Sequence, residues 1–131
     1  MTTLHLLFSH QISEAQEQEA RQRFGVQRIL PLSPTLQQRW SDFPPTGPLG
    51  PEEVAPFCTY LTQNAQEDDL VLIQGDFGAV VLMVSYCLSR NLVPIYATTY
   101  RRVTEHTEAG RTHKTSTFEH VQFRHYQRLP D

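Results

Sequence analysis

Leu70-Val71-Leu72-Ile73-Gln74-Gly75-Asp76-Phe77-Gly78 opens the most telling stretch of the chain, and Leu92-Val93-Pro94-Ile95-Tyr96-Ala97 closes it. A continuous apolar run of four, bounded by polar residues, suits a strand buried on both faces of a parallel sheet. The apolar segment from Ala79 to about Arg90 then reads as a helix with Asn91 at its end, and the second apolar run as a returning strand. Together they make a βαβ unit, whose crossover is expected to be right-handed. Asp68-Asp69 supplies the turn into the first of these strands.

Upstream, Leu4-His5-Leu6-Leu7-Phe8 reads as another buried strand, left through Ser9-His10-Gln11. Ser13 with Gln16 makes a capping box for the following helix, and Gly25 after Phe24 closes it. Gln27 to Leu30 reads as a short strand ended by Pro31, and Thr35 to Trp40 as one or two helical turns. Residues 43 to 51 hold four prolines and two glycines, an irregular connection inside one domain. A helix should start near Pro51-Glu52-Glu53, where proline suits the first turn and carboxylates suit the positive end of the helix dipole. Its apolar stripe is Val54, Phe57, Cys58, Leu61 and Ala65. Downstream, Val103 to Gln127 alternates polar and apolar residues around Glu108-Ala109-Gly110, which predicts an appended β-hairpin. The expected fold is a single α/β domain over residues 1–131, with a Rossmann-like, mostly parallel sheet and a C-terminal hairpin.

The 131 residues, 39% hydrophobic and 19% charged, fit one folded domain rather than a disordered chain. A net charge of −3 argues against general affinity for long nucleic acids, which takes a broad basic surface. A short anion held by a few placed donors is compatible with it. No apolar run approaches the length of a membrane span, and the first residues carry no basic leader, so the expected address is the cytoplasm. Cys58 and Cys87 lie in apolar helical patterns without metal or redox spacing and read as structural thiols. The histidines show no zinc spacing with cysteine partners, so no metal or other cofactor is expected.

In open α/β sheets, ligands bind beyond the carboxyl ends of the strands. Three segments are expected to leave the sheet there: Ser9-His10-Gln11, Gln74-Gly75-Asp76-Phe77-Gly78 and Thr98-Thr99-Tyr100-Arg101-Arg102. At the second, bare backbone at a helix N-terminus can approach a phosphate. Equally, Gly75 and Gly78 can serve a tight turn and close helix packing, with Asp76 as the cap. In the third, arginine forks suit phosphate oxygens and the charge that grows during phosphodiester cleavage, although strand alternation can send one of Arg101 and Arg102 to solvent. His10, beside Ser9, has the chemistry of a general base or acid near neutral pH; a structural histidine is the plainer reading. Phe77, Tyr60 and Tyr100 are candidates to stack on a base, and Phe118, Phe123 and Tyr126 are read as core or interface residues.

Leu6-Leu7-Phe8-Ser9-His10, Gln74-Gly75-Asp76-Phe77-Gly78-Ala79, Pro94 to Arg101, and Phe118-Glu119-His120-Val121-Gln122-Phe123-Arg124 together resemble a small CRISPR-associated family of the Csx type. The resemblance runs nearly end to end. It implies a CARF-like three-layer sandwich, a two-fold homodimer, and a ring nuclease that degrades the cyclic oligoadenylate messenger of type III CRISPR systems. Cyclic tetraadenylate is the implied ligand and a metal-independent attack by a ribose 2′-hydroxyl the implied reaction. The residues expected to carry it are His10, Ser9, Arg101 and Arg102. Gln11, Gln74, Gly75, Asp76, Phe77, Gly78, Thr98, Thr99 and Tyr100 are expected to hold the ligand. A protein that sequesters the messenger without cutting it fits the same residues, and a purely structural CRISPR partner would show no nucleotide affinity. An oxidoreductase fits poorly, because the glycine fingerprint for a dinucleotide is missing.

Overall fold

The computed structural model describes residues 1–131. Five strands and four helices follow in the order β1 (Thr3–Leu7), α1 (Glu14–Phe24), β2 (Arg28–Pro31), α2 (Pro34–Ser41), α3 (Pro51–Asn64), β3 (Leu70–Ile73), α4 (Phe77–Ser89), β4 (Val93–Glu108) and β5 (Arg111–His125). They form an α/β domain with one sheet of strand order β2-β1-β3-β4-β5. The first four strands are parallel, and β5 returns antiparallel on β4.

Period-two alternation in the central strands feeds two cores. Leu4, Leu6 and Phe8, with Leu70 and Leu72, point to the side covered by α1 through Ala20 and Phe24. Leu7, Val71 and Ile73 point to the other, where α2 brings Trp40, α3 brings Val54, Phe57 and Leu61, and α4 brings Ala79, Met83 and Cys87. Burial on both faces explains why β3 reads as an unbroken apolar run and why β1 is apolar from Leu4 to Leu7 except at His5, which is buried against Asp69. Cys87 is buried, and the low-dielectric surroundings push its thiol up to about 12. Cys58 is half-buried beside Met83.

The helix ends form as their residues require. Ser13 accepts from the Gln16 amide while the Gln16 side chain accepts from the Ser13 amide, and Gly25 takes the left-handed conformation at φ 68°. Asp76 caps α4, starting that helix two residues earlier than the apolar pattern suggests, and Asn91 turns left-handed at φ 57° beyond its end. No helix is long and apolar enough to cross a membrane.

The largest departure from expectation is β4. It does not stop at Ala97; Thr98-Thr99-Tyr100-Arg101-Arg102 is not an exit loop but the middle of a 16-residue strand. Its partner β5 follows it in register to Glu108 opposite Arg111, with one irregularity between Thr98 and Thr99. The turn falls where expected, with positive φ at both Ala109 and Gly110, as two-residue hairpin turns require. A twisted two-stranded arm therefore projects roughly 35 Å past Ala97, at about 3.3 Å per residue. The error has a physical origin. Thr, Tyr, Arg and Val all suit an exposed ribbon, and no glycine or proline marks where β4 outruns β3.

Candidate functional site

The strand order changes direction between β1 and β3: the chain adds β2 on one side of β1, then crosses to place β3 and β4 on the other. A change of this kind leaves the loops after the two strands diverging to opposite faces, which opens a crevice at their carboxyl ends. The crevice is present. Phe8, Ser9 and His10 from the end of β1, with Gln74 and Gly75 from the end of β3, line a cleft of about 210 Å³. Ser9 and His10 are exposed, and the His10 ring stands edge-on to Phe8 at 5.3 Å. His10 also borders a second hollow of about 260 Å³ with Gln11, Ile12, Pro31 and Gln37. It stands between the two.

Gln74 is a clasp as much as a lining residue. Its amide donates to Leu7 O, its carbonyl accepts from Trp40 Nε1 at 2.9 Å, and its side-chain oxygen accepts from the Ala97 amide at 2.7 Å. One residue thus ties β1, α2 and β4 to the cleft floor, leaving its Nε2 as the free donor. Gly75 is glycine for packing: a Cβ there would lie 2.8 Å from Trp40 Nε1 and 3.2 Å from Cε2. Its φ is not left-handed, so the constraint is space rather than conformation.

At the start of α4 the Asp76 side chain accepts from the Ala79 amide at 3.0 Å, and the main-chain ladder begins with Val80 donating to Asp76 O. The amides of Phe77 and Gly78 remain as first-turn donors without an intrahelical acceptor. The capping carboxylate places negative charge there, so a second anion would meet those two amides beside a like charge. A Cβ on Gly78 would meet only Asp76 Oδ1 at 3.4 Å and Leu49 at 3.8 Å. Phe77, the first residue of α4, is 91% exposed.

The expected third segment does not reach the cleft. Thr98 is bonded across the ribbon, its hydroxyl donating to Gln122 O. Thr99, Tyr100, Arg101 and Arg102 are exposed on the arm, with Arg101 about 13 Å along it from Ala97. Arg102 pairs with Glu119 at 3.1 Å and stacks over Tyr100, whereas Arg101 reaches only the Ser116 hydroxyl, at 3.3 Å. The cleft lining holds no arginine or lysine. Tyr60 packs edge-on to His5, and Phe118 is exposed on the arm, whereas Phe123 is core and Tyr126 donates its hydroxyl to Ile73 O.

Two histidine–carboxylate contacts, one buried and one part-buried, had no distinct signal in the sequence. His5 Nε2 contacts Asp69 Oδ2 at 3.1 Å, and Asp69 also accepts from the Thr3 and Gln66 amides. Burial alone would raise the Asp69 carboxyl, but those two amides and His5 outweigh it and hold the group below its ordinary value. At the root of the arm, Glu19 of α1 accepts from His120, from the Phe123 amide and from Arg23. It too is held low, the same donors overcoming its burial. Arg23 donates as well to Phe123 O, so both main-chain groups of that edge residue are satisfied.

A family model described as "Uncharacterized protein MJ1673 family" matches residues 2–124. The chain belongs to the MJ1673 family. It is 36% identical over 126 residues to "Uncharacterized protein MJ1673" of Methanocaldococcus jannaschii, covering 96% of this chain and 98% of that protein. No solved structure matches the chain. The MJ1673 family match takes in both cleft loops and the whole of the arm, so these belong to the shared span rather than to an appendage.

Proposed function

We propose that the protein is a CARF-like ring nuclease that cleaves cyclic oligoadenylate, cyclic tetraadenylate first among such rings, in the cytoplasm of cells using type III CRISPR defence. The observation that carries the reading is the convergence of Ser9, His10, Gln74 and Gly75 on one cleft where the strand order turns. Support also comes from the resemblance of Leu6 to His10, Gln74 to Ala79, Pro94 to Arg101 and Phe118 to Arg124 to the Csx-type family.

The reaction asks for alignment and charge stabilisation more than for strong nucleophile activation. The ribose 2′-oxygen bonds to the adjacent phosphorus, the bond from phosphorus to the 5′-oxygen breaks, and a 2′,3′-cyclic phosphate and a 5′-hydroxyl result. His10 takes the 2′-proton, or returns one to the leaving oxygen, and Ser9 orients the attacking hydroxyl. Gln74 Nε2 donates to a phosphate oxygen in the cleft, the amides of Phe77 and Gly78 serve a second phosphate only against the like charge of the Asp76 cap, and Phe77 stacks on an adenine. Holding the 2′-oxygen in line with the scissile bond supplies the larger share of the acceleration.

A second reading, sequestration without cleavage, is favoured by one feature: a single copy brings no arginine to the cleft. The two separate in one experiment. Labelled cyclic tetraadenylate is incubated with excess protein, with and without EDTA, and its products are resolved over time. Linear products ending in a cyclic phosphate, formed at the same rate in EDTA, are expected. His10→Ala should slow their formation by about 10²-fold or more while leaving binding intact. Intact ring retained on the protein would leave sequestration, and neither binding nor cleavage would overturn both.

A further inference from the structure

We infer that the β4–β5 arm acts in trans: it docks on a second copy of the chain and delivers Arg101 to that copy's Ser9–His10 cleft. The inference rests on the ligand reading above for the chemistry of the site, and on the following features for the geometry.

An isolated two-stranded ribbon is marginal in water, yet residues 99 to 119 are exposed throughout and no element of the same chain covers them. The ribbon also carries apolar side chains that a free arm has no use for. Phe118 is 67% exposed and Val103 52%. In the antiparallel register Arg101 lies opposite Phe118, and Val103 opposite Ser116. Side chains directly opposite share a face and alternate along each strand, so Arg101, Phe118, Val103 and Ser116 form one face. Tyr100, Arg102, Glu119 and Thr117 form the other, where Arg102 is already neutralised by Glu119. Phe118 and Val103 therefore share a face with the arginine that has no carboxylate partner; the Glu105–Lys114 pair lies farther out on that face, and Tyr100 is on the other.

Charge and direction name the occupant. From Thr99 to His120 the arm holds Arg101, Arg102, Arg111 and Lys114 against Glu105, Glu108 and Glu119, so it is net positive by one. The whole chain is at −3, which leaves the remainder at −4. A basic arm and an acidic body are complementary between copies. The arm leaves the sheet at the carboxyl end of β4, the same edge at which the cleft opens. Within one copy it carries Arg101 away from the cleft. Across a two-fold axis the contact is reciprocal, so each arm crosses to the other copy's edge and each cleft gains the cation it lacks.

The test has two readings, one free of catalysis. Sedimentation should give a dimer for the wild-type chain and a monomer for Phe118→Asp and for Val103→Asp, both exposed positions whose substitution leaves the cores untouched. A monomeric wild-type chain, or dimers unchanged by both substitutions, would overturn the inference. In the second reading, His10→Ala and Arg101→Ala proteins are mixed after subunit exchange and given cyclic tetraadenylate. Each alone should be nearly inactive. The mixture should regain about one quarter of wild-type activity, because half the dimers are mixed and each of those holds one complete site. No recovery in exchanged dimers, or full activity of Arg101→Ala alone, would overturn delivery in trans. A wild-type dimer that depends on Phe118 and Val103 but leaves the ring intact would overturn the nuclease reading while sustaining the docked arm.

Discussion

At Gly75 and Gly78 the same residue type answers two different demands, and substitution separates them. Gly75 lies under the Trp40 indole, which is buried and pinned by its bond to Gln74 O. A methyl group there has to displace a ring packed among Phe43 and Phe57. Gly75→Ala should cost about 1–3 kcal/mol, the usual range for overpacking, and lower the denaturant midpoint accordingly. Gly78 has room for a Cβ in the first turn of α4, so Gly78→Ala should be neutral or should stabilise by up to about 1 kcal/mol. Cleavage by the two variants then adds what stability cannot. If the bare backbone of Gly78 serves a phosphate, its alanine variant loses ligand affinity without losing stability, and unchanged affinity would reduce Gly78 to a helix residue.

Among the elements, the root of the arm is the joint on which the proposed chemistry turns. Glu19 accepts from both His120 and the Phe123 amide, so α1 holds β5 in place just beyond the irregularity at Thr98/Thr99. Its side chain is 16% exposed, so the bonds operate largely out of water. Glu19→Gln keeps the shape and removes the charge, and should cost about 1.5–3 kcal/mol, the range for hydrogen bonds to charged groups. Hydrogen exchange should show the amides of β5 around Phe123 opening sooner, with those of β1 and β3 affected less. Uniform change across all strands would mean that Glu19 supports the fold generally and not this joint. Nothing in Glu14-Ala15-Gln16-Glu17-Gln18-Glu19 distinguishes the third glutamate from the other two, because its partners lie about a hundred residues away in sequence. The capping box at Ser13 and Gln16, by contrast, was legible because every participant is local. The same distinction explains the cleft. Ser9-His10 and Gln74-Gly75 could be placed at strand ends by apolar runs alone, whereas the turn in strand order that joins them is a long-range fact. The place of Arg101 was not legible: composition puts it at the exit of a strand, whereas it sits inside β4, since a strand that outruns its neighbour leaves no mark on composition.

For the whole molecule, the two carboxylates held low by their partners set how the fold meets acid. Asp69 ties the start of β3 to β1 through Thr3 and His5, and Glu19 ties α1 to β5, so the pair spans the sheet from its centre to its edge. In each, burial alone would raise the carboxyl and the surrounding donors more than reverse it. The folded state therefore holds these groups ionised at a pH where the unfolded chain has begun to protonate them. Their contribution is complete above the ordinary carboxylate values of about 4 and is lost as pH falls through the depressed folded values. The thermal midpoint should accordingly be flat from pH 7 to about 5 and fall steeply below about 4. Asp69→Asn should lower the midpoint at pH 7 and flatten the acid limb, because the variant has no proton to gain at that position. An unchanged acid limb in Asp69→Asn and in Glu19→Gln alike would place the acid response elsewhere. If the arm docks between copies, the midpoint at neutral pH also rises with protein concentration in the wild-type chain and not in Phe118→Asp, since association stabilises only the folded chain. The two effects are separable in one set of melts, because the carboxylates act at every concentration and the arm acts through mass action alone.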